Sequence, residues 1–155
     1  MSKSELTISR HIAAPPSAVW DAWSDPAKLA RWWIPAPIEC RIVTLDLRPG
    51  GGFVTQMREE AAADFQPHVD GCFLEAIPEQ RIVFTTVLTE GWQPAEPWLA
   101  MTAILTFEAK DGGTLYSARV LHKTPEDSAK HEEMGFHDGW GTVLGQLAEL
   151  LEHRG

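Results

Sequence analysis

The chain has 155 residues, 44% of them apolar and 23% charged, the composition of one globular domain (1–155) that buries about two-thirds of its unfolded surface. Its net charge of −9, with thirteen scattered Lys and Arg, excludes the clustered basic surface a nucleic-acid backbone requires. No run approaches the roughly eighteen apolar residues of a membrane span. Met1–Arg10 lacks the apolar core of a secretory signal, and Cys40 and Cys72 form neither a CxxC pair nor a disulfide framework. A cytoplasmic protein with reduced thiols is therefore expected.

Leu6–Ala13 alternates Leu6, Ile8 and Ile12 against polar neighbours, the pattern of a half-buried strand. Pro15-Pro16-Ser17 stops it and opens a short helix through Val19, Trp20 and Trp23. Asp25-Pro26, a cap followed by a residue suited to the first helical position, starts a second helix through Leu29, Trp32 and Trp33. Strands follow in pairs. Ile38–Arg48 and Gly52–Arg58 flank Pro49-Gly50-Gly51, His68–Ile77 and Arg81–Leu88 flank Pro78-Glu79-Gln80, and Leu99–Glu108 and Thr114–His122 flank Asp111-Gly112-Gly113. Glu59–Gln66 and Thr89–Trp98 are expected to be irregular, the second a lid. Thr124-Pro125 opens the final helical region.

That region carries His131, Glu133, His137 and Asp138 at one end, and Trp140, Val143, Leu144, Leu147, Leu150 and Leu151 as an apolar stripe at the other. One continuous long helix is expected. Its Gly135, Gly139, Gly141 and Gly145 each cost about 1 kcal/mol relative to alanine, which implies close backbone approach, a break near Gly135–Gly139, or room left for a ligand. The fold class is α+β: a curved antiparallel sheet of six to seven strands wrapped on a long C-terminal helix, with two short helices after the first strand. Sheet twist leaves a cavity wherever side chains do not fill the gap to the helix.

Ala14-Pro15-x-x-x-Val19-Trp20, Asp25-Pro26-x-x-Leu29-x-x-Trp32-Trp33, the Pro-Gly-Gly hairpin and Gly139-Trp140 leading a leucine helix resemble the SRPBCC (START-like, helix-grip) superfamily, from about Leu6 to Leu151. Within it the chain is similar to homologues of the heat-shock protein ATPase activator. The resemblance implies the helix-grip fold. It also implies three function classes: binding of a lipid-, polyketide- or flavonoid-like molecule, polyketide cyclase-like chemistry, or regulation of a chaperone ATPase.

Three side-chain groups could carry a site. Glu133 and His137 are spaced to interact along a helix, and His137 could aim at the cavity mouth; the same run also suits a solvated first turn. His68 and Asp70 share one strand face with Cys72, Leu74 and Ala76, whereas Phe73 and Ile77 favour the opposite face as the buried one. That choice carries Glu75 inward, with Arg119 as its expected partner. Among the seven tryptophans, one of Trp32 and Trp33 is expected to pack while the other lines the cavity. Phosphate-loop, GxSxG, HExxH and paired-cysteine spacings are missing from the sequence, so neither cofactor, metal nor catalytic nucleophile is expected.

A small hydrophobic or aromatic molecule is the expected partner, held by Trp33, Met101, His137, Trp140 and Leu144, with Trp32, Met57, Glu75, Phe84 and Arg119 as further lining. The rival readings are a cyclase or hydrolase that moves protons through His137 or Glu75, and a chaperone partner. Either a monomer or a homodimer is compatible with the sequence.

Overall fold

Asp25 sets the start of the fold by ending one helix and beginning the next. Its backbone N–H donates to the Asp21 carbonyl at 3.1 Å, closing α1 (Pro16–Ser24). Its carboxylate accepts the Ala27 N–H at 2.9 Å, capping α2 (Pro26–Trp32). The computed structural model describes residues 4–152; the first and last three residues, which the expected bounds 1–155 include, lie outside the described residues. The two helices follow β1 (Glu5–Ile12) and precede β2 (Glu39–Leu45), β3 (Gly52–Arg58), β4 (Gln66–Ile77) and β5 (Arg81–Thr85). A small hairpin, β6 (Leu88–Thr89) and β7 (Gln93–Pro94), leads to β8 (Thr102–Lys110) and β9 (Gly113–Leu121). Two helices, α3 (Pro125–Glu133) and α4 (Phe136–Glu152), end the described chain.

Seven strands form one antiparallel sheet in the order β1-β9-β8-β5-β4-β3-β2, with β6 and β7 paired separately. The stretch expected to be an irregular lid thus contains a hairpin. β5 stops at Thr85 rather than Leu88, because Thr86 hands its backbone N–H and its hydroxyl to carbonyls of the returning segment at Met101 and Leu99. β4 has no freedom at Gly71, where a Cβ would stand 2.4 Å from the Thr85 carbonyl oxygen.

Two bulges break the alternation of β4. Thr55 and Gln56 of β3 face Val69 and Pro67, so His68 is an extra residue between them; Phe73 and Glu75 face Phe84 and Val83, so Leu74 is another. A bulge turns the local side chains relative to the pleat. It brings His68 against Thr55, on the core side of the sheet, and it leaves Glu75 half-exposed although Phe73 is fully buried.

The helical end is not one helix. α3 closes at Met134, and Gly135 adopts φ 98°, a left-handed conformation that glycine enters without steric cost, before α4 restarts at Phe136. His131 and His137 therefore sit on different helices. α4 buries Phe136, Val143, Leu144, Leu147, Ala148 and Leu151 against β1, α1 and α2.

Gln146 ties this helix to the end of α2. Its Oε1 accepts the Ala36 N–H at 2.6 Å, and its Nε2 donates to the Trp32 and Ile34 carbonyls, each at 3.0 Å. These carbonyls lie where α2 has run out of intrahelical partners. Behind them the aromatic core gathers: Trp23 stands 5.0 Å from Trp33 and 5.7 Å from Phe53, and Phe53 stacks on Phe73 at 4.9 Å.

Replacing Gln146 with Leu keeps the volume and removes three hydrogen bonds, so a loss of about 2–3 kcal/mol is expected from urea unfolding. Asp25→Ala, which removes only the α2 cap, should cost about 1 kcal/mol.

Candidate ligand-binding site

A cavity of about 320 Å³ opens between the sheet, the end of α2 and the α3–α4 corner. α4 contributes Phe136, Gly139, Trp140 and Val143, three of them at the spacing that places side chains on one helix face. Across from them stand Trp33, at the end of α2, and His68 and Val69 of β4. The returning segment closes a third side with Pro97, Trp98, Leu99 and Met101, and α3 supplies His131 and its trailing Met134.

The aromatic walls are continuous. Ring centroids step from His131 to Phe136 at 5.2 Å, to Trp140 at 5.5 Å, to Trp33 at 6.3 Å and to His68 at 6.3 Å. Edge-to-face packing dominates this arc, which holds each ring by its neighbours. Trp98 is 64% exposed, yet its indole N–H donates to the His68 carbonyl at 3.1 Å, latching the returning segment onto β4. Gly139 leaves open space, since nothing lies within 4 Å of where its Cβ would be.

Two histidines bring polarity to this apolar wall. His68 Nδ1 lies 2.9 Å from the hydroxyl of fully buried Thr55, which also accepts the Val69 N–H at 3.2 Å. His131 Nδ1 lies 2.8 Å from His122 Nε2, and His122 Nδ1 lies 3.1 Å from the Ser4 carbonyl. Burial pushes the His68 imidazolium down to about 4. Burial, helped by the adjacent His122, does the same for His131. Both rings are neutral at physiological pH. The charges at the cavity edge are acidic: Asp70 and Glu96, both exposed.

Of the residues expected from sequence, Trp33, Met101 and Trp140 come together around this cavity. The others lie elsewhere, each for a local reason. Trp32 is fully buried beside Trp23 with its N–H on the Ala22 carbonyl at 3.0 Å, while Trp33, just past the helix end, lines the cavity. Phe84 is fully buried behind Trp33, 6.0 Å from it, and Leu144 faces the core one position from the lining Val143. Met57 packs on the core edge. Glu75, displaced by its bulge, pairs with Arg81 at 2.6 Å rather than with Arg119, which pairs with Glu5 at 3.0 Å on the far side of the sheet. His137 is half-exposed and meets Glu132 at 3.3 Å, not Glu133, because the break at Gly135 changes the phase of the helix.

Phe136, Val143, His68, His131 and Trp98 complete the site. The first two were legible, since Phe136, Trp140 and Val143 continue the apolar stripe by one turn. His131 and His68 depend on the helix break and the bulge, which alternation does not announce, and Trp98 on a tertiary hydrogen bond.

Among solved structures, a protein of Nitrosomonas europaea shares 40% identity, with 96% of this chain and 94% of that one covered and a TM-score of 0.84. A Mycobacterium smegmatis protein at 24% identity (96% and 91% covered, TM-score 0.79) and an AHSA1-like protein of Aeromonas hydrophila at 22% (97% of each covered, TM-score 0.72) share the fold. No match was found among curated proteins. Residues 13–152 match the model of the activator of Hsp90 ATPase homolog 1-like proteins, and the chain belongs to that family, with the helix-grip fold of the SRPBCC superfamily.

Proposed function

We propose that this protein binds a small, uncharged, largely aromatic molecule in the cavity between the sheet and α4. The observation that carries the reading is the wall itself: a continuous arc of rings, open space at Gly139, and two histidines kept neutral by burial. Ligand sites are concave, mostly apolar and equipped with a few placed polar groups. At about 320 Å³ the cavity sits at the lower end of the range for such sites, which favours one- or two-ring compounds over sterols and long acyl chains. Asp70 and Glu96 at the edge oppose anionic ligands, fatty acids included.

His137 and Glu75 stand outside the cavity, in surface contacts with Glu132 and Arg81, so a proton shuttle through them would not reach a ligand held there. Exposed Trp98 and Met134 belong to the cavity lining, which gives them a role without a chaperone partner. Cys40 and Cys72 are free, and burial pushes the Cys40 thiol up to about 11, as suits an inert thiol in the reducing cytoplasm. Among the described residues no helix is long and apolar enough to cross a membrane.

Titration of tryptophan fluorescence with naphthalene, palmitate and cholesterol tests the reading, because Trp33 and Trp140 stand in the wall. Saturable quenching by naphthalene alone is the expected result. Gly139→Phe should weaken it at least about tenfold while the protein stays as stable or gains a few tenths of a kcal/mol, since glycine is the poorer helix former. Full affinity in that variant would refute the assignment.

The buried histidines also set a pH dependence. Their folded values lie near 4 and their unfolded values near 6.5, so the unfolded chain binds more protons between those limits. Stability is therefore complete above about pH 7, falls as pH drops from 6.5 to 4, and levels off below as far as these groups are concerned. A share on the order of 1–3 kcal/mol per histidine is expected. Urea unfolding of wild type and His68→Phe across this window should show a shallower decline in the variant.

A further inference from the structure

The cavity carries a built-in polarity, which follows from where the histidine protons must sit. Thr55 Oγ1 is fully buried and already accepts the Val69 N–H, so its own proton has one acceptor within reach, His68 Nδ1 at 2.9 Å. A buried hydroxyl without an acceptor would carry a desolvation cost. The hydroxyl therefore donates to Nδ1, and the neutral His68 ring keeps its proton on Nε2, the only polar side-chain atom it can offer to the cavity.

At the α3 end the relay runs the other way. The Ser4 carbonyl can only accept, so His122 Nδ1 donates to it at 3.1 Å. In the uncharged pair His122 Nε2 is then a lone pair, and the proton between the rings sits on His131 Nδ1, 2.8 Å away. His131 is left with a bare Nε2, an acceptor and again the ring's only free polar atom. Neither Nε2 has a hydrogen-bond partner among the described residues, and both rings line the same cavity.

Resting on the binding reading above, we propose that the cavity recognises a neutral aromatic molecule bearing both a carbonyl and a hydroxyl group, the carbonyl accepting from His68 Nε2–H and the hydroxyl donating to His131 Nε2. Thr55 and His122 are positioning residues: they touch no ligand and fix which tautomer each recognition ring presents. The apolar arc of Phe136, Trp140 and Trp33 between the two histidines supplies a stacking surface for the ring that joins the two groups. The acidic edge adds selection against carboxylates, which would otherwise satisfy the His68 donor as well as a ketone does.

Four probes separate the terms: naphthalene, 2-acetylnaphthalene, 2-naphthol and 6-acetyl-2-naphthol, titrated by tryptophan fluorescence at mildly alkaline pH. Each added group should tighten binding about three- to tenfold in wild type, with the two gains multiplying. His68→Leu should erase the gain from acetyl and keep that from hydroxyl. His131→Leu should do the reverse. Thr55→Val frees the His68 tautomer and should reduce the acetyl gain without touching the hydroxyl gain. Nitrogen-15 spectra of the unliganded wild type supply a readout independent of any variant's folding, with protonated Nε2 expected at His68 and protonated Nδ1 at His131. If naphthalene binds but neither group adds affinity, or if the tautomers are reversed, the proposal is overturned while the binding reading stands. If no probe binds, naphthalene included, the binding reading and the proposal fall together.

Discussion

One side-chain amide joins the two helical walls of the cavity. Gln146 spends its oxygen on the Ala36 N–H and both its protons on the Trp32 and Ile34 carbonyls. A helix end buried against another helix must find such partners. Here the partner stands on α4, the element that supplies the opposite wall of the cavity. The clamp thus sets the distance between Trp33 and Trp140, whose centroids stand 6.3 Å apart, and with it the pitch of the aromatic arc. An apolar residue at position 146 could fill the same space without specifying that distance. Packing supplies most of the energy of the fold; this hydrogen-bonded joint supplies the register between its parts.

From that joint the chemistry of the walls follows. The rings that line the cavity are held edge-to-face by neighbours that are themselves buried, so the apolar surface persists without collapsing on itself. Two of the polar groups of the wall are imidazoles backed by a buried hydroxyl or by a second imidazole. Such relays deliver hydrogen-bonding capacity without charge. A carboxylate or ammonium in the same place would need a counterion inside the protein to offset its lost hydration. The ion pairs Glu75–Arg81 and Glu5–Arg119 stay on solvated surfaces where they neither stabilise much nor cost much.

The order of elements was legible because the signals behind it are local: Asp25-Pro26 as a cap, glycine turns between strands, and a stripe at helical spacing. Trp140 lies on the face of α4 that the stripe sets, while Trp33 and Met101 sit one residue outside α2 and β8, where the direction of the neighbouring element still carries over. Two kinds of irregularity account for four of the residues whose surroundings differ from expectation. Glu75 and His68 lie in a strand whose two bulges shift its phase twice, and His131 and His137 flank a glycine in the left-handed conformation. Period-2 and period-3.6 arguments extrapolate from an element's regular part, and one extra residue inverts every assignment beyond it. Trp98 ends the stretch expected to be a lid, and its place in the wall is set by a hydrogen bond to a carbonyl thirty residues earlier, which no local pattern encodes.

The glycines of α4 show how stability and function divide along one helix. Gly135, just before α4, is required by its backbone, whereas a Cβ at Gly141 would make an ordinary contact, 3.7 Å from Ile8 of β1. At Gly139, as at Gly145, the backbone is ordinary and a Cβ would meet nothing within 4 Å. Each such glycine forgoes about 1 kcal/mol of helix propensity that alanine would restore. Folding alone would favour alanine there. Gly139 also borders the cavity, so a side chain at this position would project into the volume proposed for the ligand. Gly145 is equally open but stands away from the cavity, so a free glycine alone does not mark a site; Gly139 does so together with the aromatic wall beside it.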